Sequence, residues 1–105
     1  MGGSEVLSMA IFRARPGHEE ECLSVTQELS VLLANKGYAQ DTLFRQPVDG
    51  EDGDYVLLRR WSSDEARLQT HDDPEVHRYW LRMGLIMETI QVYERLDEVA
   101  QQPGM

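Results

Sequence analysis

Histidine and carboxylate side chains concentrate in one short segment of the chain, residues 71–77. Both types bind metal ions, but a helical histidine pair that binds a metal is spaced four residues apart, whereas His71 and His77 are six apart. Asp73 has a simpler role, because a helix that begins with Pro74 needs an N-cap and aspartate is a preferred one. The spacing therefore predicts no metal site.

His71 is the residue of this segment that is best suited to chemistry. It follows Leu68 by three residues, so both should face the sheet from one side of a short helix. Trp61, Tyr79 and Trp80 could lie nearby and form an apolar, aromatic-lined pocket for a small aromatic molecule. An imidazole there could accept a phenolic proton, because imidazoles titrate near neutrality. The alternative is a histidine that bonds a backbone carbonyl and closes the junction between two helices.

Two arginines, Arg59 and Arg60, end a strand that is otherwise apolar. They point to opposite faces, so one could reach the pocket or a seam between two copies. Alternatively, both extend to water or pair with the abundant carboxylates. We name Arg59 as a candidate substrate-binding residue. Cys22 lies on the apolar stripe of the first helix, where we expect a small buried side chain rather than a nucleophile.

Charge and composition exclude several classes of partner. The net charge is -9, which argues against nucleic acid and against an anionic membrane surface. A single cysteine forbids an intramolecular disulfide and fits a reducing compartment. The chain shows neither a signal peptide nor a membrane-spanning run, so we predict a cytoplasmic protein. Its 105 residues suit one domain, with a core over 6–96 and a loose tail over 97–105.

Hydrophobic periodicity predicts the order strand, helix, strand, strand, helix pair, strand. The predicted strands span 6–14, 38–46, 55–61 and 86–96, the long helix spans 18–36, and a polar turn spans 47–54. Ser62 and Glu65 have the spacing of a capping box before the helix pair, which should end at Gly84. In the last strand, Met87 and Tyr93 should share a face. This order is the split βαβ, or ferredoxin-like, α+β plan with an antiparallel sheet.

The first predicted strand is apolar on both faces. Leu7, Met9 and Ile11 alternate with Val6, Ala10 and Phe12. Helices cover one face of such a sheet, and an exposed apolar face of this size is an association site. The simplest cover is a second copy related by a twofold axis, so we predict a homodimer. The alternative is a twisted monomer with a few exposed apolar residues.

The chain resembles the antibiotic biosynthesis monooxygenase family of dimeric α/β-barrel proteins over residues 6–96. The resemblance rests on Arg15-Pro16-Gly17 after the first strand, then on Tyr55-Val56-Leu57-Leu58-Arg59-Arg60-Trp61, Ser62-Ser63-Asp64-Glu65-Ala66, His71, Pro74-Glu75-Val76 and Tyr79. It implies a barrel across a dimer. It also implies an oxygenase of phenolic or quinol substrates without metal or flavin, in which the deprotonated substrate supplies electrons to oxygen.

Under this resemblance, His71 is the catalytic base or orienting group, and Trp61, Tyr79 and Trp80 are pocket walls. No cofactor and no metal are expected. A related branch degrades haem with an asparagine on the first strand, which this chain lacks, so we disfavour that activity. The alternative to a monooxygenase is a non-catalytic or stress-related dimer that binds a small ligand, since fold does not fix function.

Overall fold

The computed structural model describes residues 6–48 and 51–99, in which the elements follow the predicted order. The elements are β1 (Val6–Ala14), α1 (Glu19–Asn35), β2 (Ala39–Val48), β3 (Glu51–Trp61), α2 (Asp64–Gln69), a 3-10 turn (Thr70–Asp72), α3 (Pro74–Ile86) and β4 (Met87–Asp97). The strands form one antiparallel sheet in the order β2-β3-β1-β4. The predicted α+β, ferredoxin-like fold is confirmed.

The sheet has apolar side chains on both faces, as the alternation in β1 predicts. Ala10, Phe12 and Ala14 pack in the core beneath the helices. The alternate residues of β1 point to the other side, together with their cross-strand partners on β3 and β4 and with the residues of β2 that pair with those of β3. We call this side the open face, and its apolar residues are Leu7, Met9, Ile11, Phe44, Val56, Leu58, Tyr93 and Leu96.

The first helix, α1, begins and ends one residue inside the predicted span. Three glutamates occupy its first turn, where carboxylates interact favourably with the helix dipole. Gly37 follows its end with φ of 75°, a conformation that glycine adopts without steric cost. The buried residues of α1 form one stripe: Cys22, Val25, Thr26, Leu29 and Leu33.

The β2–β3 hairpin is longer than the sequence pattern suggests. Pro47 pairs with Asp52 and Val48 pairs with Glu51, so most of the predicted turn over 47–54 is strand. The two residues between these pairs lie outside the described residues. A proline is tolerated here because β2 is an edge strand, whose outward side needs no backbone donor.

Ser63, not Ser62, is the N-cap of α2, so the predicted capping box is wrong. The Ser63 hydroxyl accepts a hydrogen bond from the backbone N–H of Ala66 at 3.0 Å. The Ser62 hydroxyl instead donates to the carbonyl of Gly37 at 2.8 Å. Both serines suit an N-cap chemically, and the long-range bond of Ser62 decides between them.

Asp73 is the N-cap of α3, as predicted. Its carboxylate accepts from the backbone N–H of Glu75 at 2.9 Å, and Pro74 occupies the first turn. The helix then continues to Ile86, two residues beyond the predicted end at Gly84. Ile86 is buried in the core, so tertiary packing extends the helix past a residue that commonly ends one.

Strand β4 changes face at a bulge. Met87 pairs with Ala14 and is buried in the core. The register then shifts, with Ile90 as the extra residue, and Tyr93 pairs with Met9 on the open face. The prediction that Met87 and Tyr93 share a face is therefore wrong, because one inserted residue reverses the alternation. β4 ends at Asp97, and most of the predicted tail, residues 100–105, lies outside the described residues.

The core between the sheet and the helices consists of two clusters of buried residues. The first is Phe12, Cys22, Val25, Tyr55, Leu57, Ile86 and Met87. The second is Leu29, Leu33, Ala39 and Val76, with Trp61, Tyr79 and Trp80 packed against it. Cys22 is a free, fully buried thiol, as expected for a small core residue. No helix in the described ranges is long and apolar enough to cross a membrane.

Candidate functional site

A buried salt bridge lies on the helix-covered side of the sheet, where apolar side chains are the rule. Arg59 donates from Nε to Asp41 Oδ1 at 2.7 Å and from Nη2 to Asp41 Oδ2 at 2.8 Å. Only 10% of the Arg59 side chain and 2% of the Asp41 side chain are exposed. The two residues face each other across β2 and β3. Ser30 on α1 donates to Asp41 Oδ2 at 2.6 Å, so the carboxylate is held from two sides.

Trp61 continues this polar arrangement across the rest of the sheet. Its indole N–H donates to Ser8 Oγ at 2.7 Å, and the Ser8 hydroxyl donates to the backbone carbonyl of Glu94. The central guanidinium carbon of Arg59 lies 5.7 Å from the Trp61 ring centroid. These interactions join all four strands. We call this set the polar row, and it consists of Asp41, Arg59, Trp61, Ser8 and Glu94.

Histidine and tryptophan side chains face the polar row from the helical side. The His77 ring donates from Nε2 to the backbone carbonyl of His71. The ring centroid of Trp80 lies 5.6 Å from that of His71 and 5.3 Å from that of His77. Thr70 is buried and donates to the carbonyl of Arg67 at 2.6 Å, which fixes the turn that carries His71.

A cavity of about 470 Å³ lies between the polar row and these helical residues. This volume falls in the range of pockets for small organic molecules. Its apolar lining comes from Ala10, Leu57, Trp61, Trp80 and Val92, among others. Its polar lining is limited and includes Arg59, Arg67, His71 and Glu94. A cavity of this kind suits a planar aromatic molecule that carries a small number of polar groups.

An ion-pair network lies beside the cavity and connects α2 to β4. Asp64 accepts from Arg67 at 2.8 Å and from Arg95 at 3.1 Å, and Arg95 also donates to Asp97 at 2.9 Å. The hydrogen bond from Arg67 lowers the pKa of Asp64 below its ordinary value. This network keeps Arg67, a cavity-lining residue, paired with a carboxylate.

Four of the five residues named from sequence line the cavity: Arg59, Trp61, His71 and Trp80. Tyr79 does not. It lies in the groove between α1 and α3, where its hydroxyl donates to Glu28 at 3.3 Å. Burial, followed by the nearby Glu28 carboxylate, raises the pKa of Tyr79.

His71 reaches the cavity by a different route from the one expected. Leu68 is 51% exposed, so the inference that both residues face the sheet from one helix side is wrong. His71 lies in the 3-10 turn after α2, where Thr70 is the residue that points inward. The bond to a backbone carbonyl, considered as an alternative for His71, is made by His77.

Sequence reasoning missed Ser8 and Asp41, although a signal was present. Asp41 lies between Ala39 and Leu43, both of which face the core, so its alternation places a carboxylate in an apolar position. Ser8 likewise occupies a core-facing position of β1. A polar residue in an apolar position of a strand departs from the local pattern, and such departures concentrate at functional sites.

Within residues 6–48 and 51–99, no group of three or more His, Cys, Asp or Glu side chains is placed to hold a metal ion. Asp73, the buried carboxylate of the segment 71–77, is engaged by Lys36 and Tyr38. The described residues of the cavity offer aromatic rings, hydrogen-bond donors, the two imidazoles of His71 and His77, and Glu94.

The fold and the cavity define a class of protein, a ferredoxin-like α+β protein with an aromatic-lined cavity between sheet and helices. The sequence profile described as "Antibiotic biosynthesis monooxygenase" matches residues 6–83. The matched segment runs from β1 into α3 and includes all five of the predicted site residues on β3, the 3-10 turn and α3. The chain belongs to this family.

Solved structures share the whole fold with this chain. SnoaB, described as a cofactor-independent oxygenase from Streptomyces nogalater, has a TM-score of 0.73 at 17% identity, covering 97% of this chain and 99% of its own. PA3566 from Pseudomonas aeruginosa has a TM-score of 0.76 at 15% identity, covering 95% and 99%. Rv0793 from Mycobacterium tuberculosis has a TM-score of 0.69 at 18% identity, covering 97% and 100%. No curated protein matches the chain.

Proposed function

We propose that this protein is a monooxygenase that oxidises a small phenolic or quinol-type substrate with molecular oxygen and without a metal or organic cofactor. The observation that carries the proposal is the cavity, in which the imidazoles of His71 and His77 and the guanidiniums of Arg59 and Arg67 lie among indole rings. Family membership supports the reaction class, and SnoaB, which shares the fold, is described as a cofactor-independent oxygenase.

His71 is the proton acceptor in this proposal. It lines the cavity beside Trp80. Its turn is fixed by the hydrogen bond of Thr70 and by the hydrogen bond that His77 donates to the backbone carbonyl of His71. A phenolic hydroxyl bound between the indole rings would transfer its proton to this imidazole. Removal of that proton makes the aromatic ring electron-rich, which prepares it to reduce dioxygen.

A phenol with a ring C–H para to its hydroxyl illustrates how the atoms and electrons balance. The O–H and C–H bonds break, and one atom of dioxygen becomes a new ring carbonyl. The other oxygen atom leaves as water, together with the two hydrogens that the phenol has lost. The substrate becomes a quinone and supplies all the electrons that reduce dioxygen, so the reaction needs no external reductant.

Two copies of the chain form the working unit in this proposal, paired through the open face. Phe44 is 53% exposed and Tyr93 is 42% exposed, and both lie on this face beside half-buried apolar neighbours. A continuous apolar sheet surface of this kind is typical of an association site. A twofold axis would cover the same patch on both copies.

A second candidate function is binding of an aromatic ligand without turnover. The observation in its favour is that His71 is an exposed residue, whereas a reactive ring anion requires a site from which water is excluded. Both candidates use the same cavity and the same aromatic walls, so a measurement of turnover separates them.

Oxygen consumption across a panel of quinols and polyphenols tests the proposal. We expect uptake with at least one substrate, and we expect His71→Ala to lower kcat by roughly 10²–10⁴-fold, the usual contribution of a general base. His18→Ala is the matched control, because His18 pairs with Glu21 at the start of α1 and does not line the cavity.

Equal turnover by His71→Ala and wild type would show that His71 is not the proton acceptor. Saturable binding of a quinol without any oxygen uptake would favour the second candidate. Where the wild type turns over a substrate, unchanged turnover in His18→Ala is required, since loss in both variants would indicate a general effect of removing a histidine.

A further inference from the structure

Burial of the Arg59–Asp41 ion pair in the protein core carries a desolvation penalty. Removing two charges from water has a large free-energy cost, and apolar side chains of similar volume are often at least as stable. The pair is nevertheless buried to 90% or more on both sides. Stability alone does not account for it, which points to a role in recognition.

Arg59 retains hydrogen-bond donors beyond those that it gives to Asp41. A guanidinium has five N–H donors, and the pair uses one on Nε and one on Nη2. Among the described residues, no buried side-chain nitrogen or oxygen lacks a hydrogen-bond partner. Nη1 of Arg59, which gives no hydrogen bond to Asp41, is therefore not sealed in the core, and Arg59 lines the cavity.

Asp41 and Ser30 determine where those donors point. A two-point contact with a carboxylate fixes the plane of a guanidinium, and the Ser30 hydroxyl fixes the carboxylate in turn. Asp41 also neutralises the charge of Arg59, so the pair offers directed hydrogen bonds rather than a net attraction for anions. The acceptor that suits it is a single oxygen atom on an otherwise apolar ring.

We propose that Arg59 binds the oxygen atom of a ring-hydroxylated or quinone-type ligand, and that Asp41 and Ser30 are positioning residues that aim its free N–H groups into the cavity. The inference rests on the proposed function, because it assigns the substrate oxygen to a particular side of the same site. In this proposal Trp61, which lies two residues after Arg59 on β3 and also lines the cavity, contacts the aromatic ring of the ligand.

Matched ligands that differ by one oxygen test the inference directly. The probes are 1-naphthol and naphthalene, and their dissociation constants are measured by equilibrium dialysis without oxygen, so that no turnover occurs. We expect the wild-type protein to prefer 1-naphthol by about tenfold or more, the value of one hydrogen bond to a charged group. Arg59→Lys should lose most of this preference, because lysine lacks the planar fork.

Asp41→Asn separates positioning from a purely structural role. It should reduce the preference for 1-naphthol by about threefold or more, while the affinity for naphthalene stays within about twofold. Ser30→Ala should shift the preference in the same direction, and it removes only one hydroxyl if Asp41→Asn does not fold. Asp54→Asn is the control, since Asp54 pairs with Arg13 away from the cavity and should leave both affinities unchanged.

Equal affinity of the wild type for both probes would overturn the inference, as would Asp41→Asn and Ser30→Ala variants with the wild-type preference. Parallel loss of both affinities in these variants would also overturn it, because that is the result of a structural defect. Each of these outcomes leaves oxygen uptake by the wild type in place, so the inference can fail while the proposed function stands.

Discussion

Asp73 joins three parts of the chain through one carboxylate. It caps α3, and it accepts from Lys36 Nζ at 2.9 Å and from the Tyr38 hydroxyl at 2.8 Å. The hydrogen bond from Lys36, followed by that from Tyr38, lowers the pKa of Asp73 to about 2. The ionised carboxylate therefore stabilises the contact between the end of α1 and the start of α3.

The variant Asp73→Asn keeps an N-cap and removes only the charge. Because the carboxyl pKa is about 2 in the folded protein and about 3.9 in an unfolded chain, its charge stabilises the fold above about pH 4. That stability is lost as the pH falls through about 2. We expect the variant to unfold at lower urea concentration than the wild type at neutral pH, and the difference to close near pH 2.

Asp72→Asn is the control for this measurement, since Asp72 is an exposed neighbour. It should unfold close to the wild type throughout the pH range. An Asp73→Asn deficit that is as large near pH 2 as at neutral pH would contradict the electrostatic explanation.

The direction of a single side chain is predictable from sequence only when it follows from backbone alternation. Alternation separates Arg59 from Arg60 but does not say which of them enters the core. That choice depends on the β2–β3 register, which places Asp41 opposite Arg59. His71 is a harder case, because its position depends on a 3-10 turn after α2 that ordinary helix periodicity does not describe.

At the scale of elements, α1 supplies buried core residues that do not line the cavity. Leu29 and Leu33 are fully buried and pack against Val76 of α3. We expect Leu29→Ala to lower the free energy of unfolding by about 2–5 kcal/mol, because truncation leaves a void. Val31→Ala on the same helix is the control: Val31 is 58% exposed, and its change should stay within about 0.5 kcal/mol.

Urea unfolding followed by circular dichroism measures both variants. A Leu29→Ala effect no greater than that of Val31→Ala would mean that α1 does not carry the core. Agreement would show that the apolar stripe, not the propensity of individual residues, holds this helix on the sheet.

Strong periodicity explains which elements were predictable. β1 matches its predicted span, and α1 differs by one residue at each end, since each has an unbroken apolar pattern. The β2–β3 hairpin and β4 were less predictable. Gly-rich and acidic residues around position 50 suggest a long turn, yet cross-strand pairing continues through most of them. The Ile90 bulge depends on the partner strand, and a sequence pattern does not contain that information.

At the scale of the whole molecule, the open face leads to a prediction about assembly. Leu58 lies near the middle of this face, opposite Met9. We expect the wild type to sediment at twice 12.1 kDa and Leu58→Glu to sediment as a single chain, because a carboxylate would be buried at the seam. Leu81→Glu is the control, since Leu81 is 75% exposed on α3 and outside the open face.

Analytical ultracentrifugation at micromolar concentration distinguishes the two states. A wild type of 12.1 kDa would contradict the proposed pairing. A Leu58→Glu variant that remains paired would place the interface on another surface. The apolar content of both faces of β1 makes this prediction possible from sequence, because a two-sided apolar strand needs cover on both sides.

The polar row also determines when, during translation, the cavity can be completed. Ser8 and the Glu94 carbonyl that it contacts are 86 positions apart, so one end of the row is made early and the other late. At about 5–20 residues per second, a ribosome needs roughly 4–17 seconds to cover that interval. A nascent chain that still lacks β4 also lacks Glu94, so its polar row is incomplete. The cavity between sheet and helices is therefore complete only after translation has supplied β4, and a nascent chain without that strand lacks the Val92 and Glu94 side of the site.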